Sequence, residues 1–220
     1  MSLAHRRLRL ALRSRALLAP ATAAIFLLAG AFFPGPTDPH ESWALSAMVA
    51  CALGAWFTFV VERAIPPQAD AMLSASGGSA RQRWRARTVL VGEIAAAICA
   101  VYLMVPDALG VFHGRAGAAE LVLAGAAHLA CAAFGGALAL TLARPIRGGT
   151  AFGVVVATLC LSAGAAKLVG PFAGPGGISR AVAAAAPGTV PLVALAAAGI
   201  TLAYAAGLIA SARRIERWRG

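Results

Sequence analysis

Three of the six long apolar runs in this chain carry no charged residue at all, and the other three carry one each. The runs are 16–33, 42–61, 88–105, 120–143, 150–169 and 191–210. A helix needs about 20 apolar residues to cross the hydrocarbon layer of a bilayer. Each run has that length or comes close to it. Backbone in hydrocarbon must satisfy its own hydrogen bonds, so such runs span as helices. The fold class expected is therefore all-α integral membrane, with six transmembrane helices in a single domain, 1–220. Composition agrees. Charged residues make up 12% of the chain, against about 25% in soluble domains.

The polar intervals between the runs set the topology. Of the 19 Lys and Arg residues, 16 fall in alternate intervals: the N-terminus, 62–87, 144–149 and the tail. Only Arg115, Lys167 and Arg180 lie on the other side. The positive-inside rule puts the first set, with both termini, in the cytoplasm of a cell-membrane protein. A sequence pI near 11.3 raises nucleic acid as a partner. That needs the charge gathered on one solvated domain, and here it is scattered between apolar runs, so no nucleic acid is expected.

Ser2–Arg15 has Arg6, Arg9 and Arg13 on one helical face with Leu8 and Leu12 roughly opposite. An interfacial helix on the inner leaflet follows. The rival is a signal peptide, for which Ala29-Gly30-Ala31 mimics a cleavage site; five arginines ahead of about 18 apolar residues favour a retained span. Between the fifth and sixth runs, 170–189 is rich in Gly and Pro and too broken to span. It reads as a re-entrant or interfacial helical piece. Pro106 is expected to end the third span.

The interval 62–87 is the longest polar one. Pro66-Pro67 can start a short helix, Gly77-Gly78 ends it, and Ser79 with Gln82 has capping-box spacing for a second helix. That second helix runs through Arg81, Arg83, Arg85 and Arg87 into the third span.

Four ionisable groups lie within or at the ends of apolar runs: Glu93, Glu120, His128 and Lys167. Charged and unpaired at mid-bilayer, each costs roughly 2.5–3.5 kcal/mol, so they should face protein or water. Glu93 shares a face with Ala96, Ala97 and Ala100; an ion pair with a loop arginine competes with a gating or substrate contact. His128 shares a strip with Ala124, Ala132 and Gly136; a hydrogen-bonded packing role competes with a proton or substrate role. Glu93 and His128 are the two candidates for a pathway or gate. Gly199, Ala203 and Gly207 form a small-residue ladder for packing, within the chain or between two chains.

No enzyme constellation is evident: no HExxH and no pair of membrane aspartates. Ser162 sits in LSAG without the preceding glycine of a serine-protease turn. The four cysteines are spaced as buried apolar side chains, so no metal and no cofactor is expected. A phosphate-binding loop needs GxxxxGK[ST], and the single lysine, Lys167, is followed by Leu168. Any ATPase must be another chain.

The ESWALSA start of the second span (41–47), the SGGSARQRWRARTVL run (76–90), the basic N-terminus, the helix-bearing loop and the broken stretch before the last span together resemble the permease subunit of type-two ABC exporters. The resemblance covers the whole chain and is architectural. It implies that Pro67–Ser76 is a coupling helix docking on an ATP-binding subunit, with Pro67, Asp70, Met72, Leu73 and Ser76 as contact residues. It implies a second permease subunit, the same or different, with substrate passing between the two. The outer loops are short, so no large extracellular domain is available. The competing readings are a non-transporting scaffold or regulatory subunit, and a small secondary transporter, which should show internal repeats or paired membrane charges.

Overall fold

A computed structural model of the chain describes residues 9, 11–13, 15–32, 39–64, 79–111, 117–143, 148–185 and 192–219. Its elements are α1 (Leu18–Phe32), α2 (Pro39–Arg63), α3 (Ala80–Ala108), α4 (Ala118–Leu142), α5 (Gly148–Val169), a 3-10 turn (Gly170–Ala173), α6 (Pro175–Ala183) and α7 (Leu192–Arg219). The fold is all-α. Among the described residues five helices, α2, α3, α4, α5 and α7, are long and apolar enough to cross a membrane. The first run forms a shorter helix. Its 15 residues reach about 22 Å, against about 30 Å of hydrocarbon.

The bundle is built around α2 and α4, the two most buried spans. They meet through small residues. A Cβ added at Gly54 would strike the Ala132 backbone, and one added at Gly135 would strike the backbone of Cys51 and Ala55. Backbones come this close only where side chains are missing. In lipid, where apolar surface gains little from leaving its solvent, such close approach is a main source of helix–helix attraction. Ala47, Ala50 and Cys51 of α2 and Ala124, Ala127 and Cys131 of α4 are all buried along the same seam. α3 and α7 flank α4, and α1 packs on α2.

Successive long helices alternate in direction, so the bundle has two chemically distinct ends. At one end Val61, Ala86, Leu90 and Ala11 cluster, and Trp84, Leu140 and Ala212 meet nearby. This end carries Arg63, the four arginines of α3, Arg213 and Arg214. The other end carries Glu41, Asp107 and Glu120, with Lys167 and Arg180 as its only described Lys or Arg residues. Residues 9 and 11–13 are helical. Ala11 is buried on α2 and α3 while Leu12 and Arg13 are exposed, so this segment lies across the arginine-rich end.

The α3 start follows its sequence signature. Ser79 Oγ accepts from the Gln82 N–H at 3.2 Å, and Gln82 Oε1 accepts from the Ser79 N–H at 3.0 Å, completing a capping box. The α3 end does not. Pro106 lies inside the helix, which continues to Ala108. A proline near a helix end removes only one backbone bond, so the helix can carry on past it. The stop is set instead by Gly110 at φ +63°. The Val111 N–H donates to the Pro106 carbonyl and the Gly110 N–H to that of Asp107, both at 3.1 Å. This is a Schellman closure, and it needs the left-handed residue that glycine supplies.

The stretch after α5 turns back on the bundle. Gly174, at φ +68°, reverses the chain into α6. The α6 face made by Pro175, Gly176, Gly177, Ile178 and Val182 is buried. Gly176 sits on the backbone of Ser162. That is two turns, about 10 Å, before the end of α5.

Candidate functional site

His128, on α4, is fully buried and faces α2. Its Nδ1 lies 2.7 Å from the Ala124 carbonyl oxygen and its Nε2 2.8 Å from Ser46 Oγ. A carbonyl can only accept, so Nδ1 carries the proton. In the neutral ring Nε2 then accepts from the Ser46 hydroxyl. Ser46 Oγ also lies 3.3 Å from the Trp43 carbonyl. The Tyr102 ring is 5.9 Å from the His128 ring, and the Tyr102 hydroxyl donates to the Ala24 carbonyl at 3.3 Å. Residues of α2, α3 and α4 thus meet around one buried imidazole, and Tyr102 ties α1 to them. Toward the acidic end, His40 Nε2 lies 3.7 Å from Glu120 Oε1, and the His40 ring meets Trp43 edge-on at 6.2 Å.

A serine hydroxyl 2.8 Å from an imidazole nitrogen has the spacing of a nucleophile and its base. Both residues are 0% exposed, so no substrate reaches either atom in this arrangement. What the pair does here is join the two central helices by a hydrogen bond in a low-dielectric seam. Ser46→Ala should therefore lower stability by about 1–3 kcal/mol, the cost of a buried acceptor left without its donor. Ser46→Ala with His128→Leu should recover much of that loss, because both polar groups are then gone. Thermal unfolding of the double variant and of the Ser46→Ala and His128→Leu single variants checks this, and additive losses would contradict it.

The second buried polar pair is at the arginine-rich end. Arg87 Nε lies 3.4 Å from Glu62 Oε2, with side chains 4% and 7% exposed. The Arg87 guanidinium also stands 5.3 Å from the centre of the Trp84 ring. The sequence points to Glu93 as the carboxylate that holds a loop arginine; among the described residues that role belongs to Glu62. The reason is helical phase. Arg87 faces inward against α2, whereas Glu93 is exposed on the outer side of α3 with Ala96, Ala97 and Ala100, and makes no ion pair among the described residues. His128 and Glu93 are thus not brought together.

Pro67, Asp70, Met72, Leu73 and Ser76 lie outside the described residues. The ladder Gly199, Ala203 and Gly207 is exposed, and a Cβ at either glycine would meet nothing within 4 Å. Among the described residues it packs against nothing within the chain. Among the described residues no group of three His, Cys, Asp or Glu side chains is placed to hold a metal ion.

Sequence reasoning missed Ser46, Glu62 and the Gly54 and Gly135 contacts. A signal for the first was present: Ser46, Ala50, Gly54 and Thr58 repeat small residues at every fourth position of α2, matching Ala124, His128, Ala132 and Gly136 of α4. Comparison with protein-family models, with curated proteins and with solved structures finds no match to this chain.

Proposed function

We propose that this chain is the membrane-spanning subunit of a transporter, and specifically the permease of an ATP-driven exporter whose ATPase is a separate chain. In this reading the short first helix counts as a sixth span and α6 as a re-entrant segment. Both termini and the arginine-rich end face the cytoplasm of the cell membrane, and substrate crosses between two permease subunits, alike or different. The chain needs no cofactor of its own and is not itself an enzyme.

The observation that carries the reading is where the longest polar interval leaves the bundle. α2 ends at Arg63 and α3 begins at Ala80, both at the arginine-rich end, beside the buried Glu62–Arg87 pair. Residues 65–78 are therefore joined at one end to α2, one of the two helices of the central seam, and at the other to α3, which packs on α4. A force applied to them would pass directly into α2 and α3. The outward-facing ladder of α7 supports a second membrane subunit, since small residues open to lipid leave room for another helix.

Met72 and Leu73 are the apolar residues of that interval with most to gain from a protein partner. Covering one such side chain contributes about 1.5–3 kcal/mol. Met72→Asp with Leu73→Asp should leave insertion and monodispersity intact. A partner ATPase should then fail to copurify, or its hydrolysis should no longer respond to transport. Full association and full transport in the double variant would remove the coupling role and favour a scaffold.

A further inference from the structure

Lys167 and Arg180, the two described Lys or Arg residues at the acidic end, line the same cleft. It has a volume of about 520 Å³ and lies between α2, α5 and α6, walled by Met48, Ala163, Lys167, Gly176, Ser179 and Arg180. Among the described residues no carboxylate lines it, although Glu41, Asp107 and Glu120 all occur at this end of the bundle. Among the described residues neither cation makes an ion pair. The Arg180 Nη1 donates to the Ala166 carbonyl at 2.8 Å. That bond holds the guanidinium in place over the end of α5 and uses only one of its five N–H groups.

The cleft exists because α6 folds back on α5. Gly176 rests on the Ser162 backbone, and this close approach brings Ser179 and Arg180 to the level of Ala163 and Lys167. Two positive charges line one cleft with no countercharge among the described lining residues, and because both side chains are exposed, solvent screens part, but only part, of their repulsion. An anion between them relieves that repulsion. Arginine offers a planar fork suited to a group with two or more oxygens, lysine a point charge, and serine a hydroxyl.

We propose that this cleft binds an oxyanion of the phosphate type, with Arg180 and Lys167 as charge partners and Ser179 as a hydroxyl donor. Met48 and the alanines of the wall suit an apolar chain attached to it. The same chemistry is offered by an anionic lipid headgroup and by free phosphate. The site does not depend on the chain working with an ATPase.

The test is equilibrium binding to the purified full chain in a neutral detergent. The probes are dioctanoyl-phosphatidylglycerol, inorganic phosphate, and dioctanoyl-phosphatidylcholine as the zwitterionic control. Saturable binding of one of the first two is expected, at least about tenfold weaker in Lys167→Gln, the size of one charge-assisted contact. Lys167→Gln leaves the Arg180–Ala166 bond untouched, and its melting temperature without probe reports the fold. Lys167→Arg should keep binding. Phosphatidylglycerol alone would assign a lipid headgroup, and phosphate binding a free oxyanion. No saturable binding, equal binding of phosphatidylcholine, or unchanged affinity in Lys167→Gln would overturn the site.

Discussion

Gly135→Ala should cost at least about 3 kcal/mol, at the top of the range for overpacked cores. The added Cβ would lie 2.8 Å from the Cys51 carbonyl carbon and 3.2 Å from the Ala55 nitrogen, and closer still to the Cys51 oxygen. All three are backbone atoms, so no side-chain end can swing aside. α2 and α4 must separate, and every small-residue contact along their seam loosens with them. The melting temperature should fall by about 10 °C, and Gly135→Val should give no monodisperse protein. Gly153→Ala is the control. Nothing lies within 4 Å of a Cβ there, and its effect should stay within about 0.5 kcal/mol. Equal melting of the two alanine variants would mean that the seam is not as close as described.

Arg87→Leu should cost about 3–5 kcal/mol, because it removes the cationic member of a buried ion pair. The figure is large because both side chains are almost fully enclosed, so solvent screens little of the loss. The double replacement Arg87→Leu with Glu62→Met should recover most of it, since a buried ion pair and an apolar pair of similar volume are often close in stability. If the single and double variants unfold alike, the pair matters through something other than its charge, such as the stacking of Arg87 over Trp84.

The membrane class and the alternation of helices were legible from the apolar runs, because hydrocarbon leaves the backbone few choices. The capping box at Ser79 was legible too, being local. Pro106 shows where local reasoning fails. A proline is a strong breaker in a helix interior, yet here the stop falls at Gly110, and only the fold of the following residues shows which signal wins. His128 was singled out with the correct neighbours on its own helix. Its partner Ser46 was not, since a serine in an apolar run means nothing until the helix it faces is known. Glu62 was passed over for Glu93 for a related reason. Depth in the membrane was weighed, but the direction each residue faces depends on which side of α3 meets α2. In the sequence Lys167 stood out only as an ionisable group near the end of an apolar run and Arg180 only as a charge on the outer side, and the fold-back of α6 is what puts them in one cleft.

Everything proposed for the arginine-rich end depends on its facing the cytoplasm. The direct measurement is labelling of single cysteines in intact cells by a membrane-impermeant thiol reagent. The background should lack Cys51, Cys99, Cys131 and Cys160. One cysteine replaces Ser76, in the interval between α2 and α3; another replaces Asp107, exposed at the opposite end. Cysteine at 107 should be labelled in intact cells, and cysteine at 76 only after the membrane is permeabilised. Labelling at 76 from outside, with protection at 107, would invert the bundle and contradict the account.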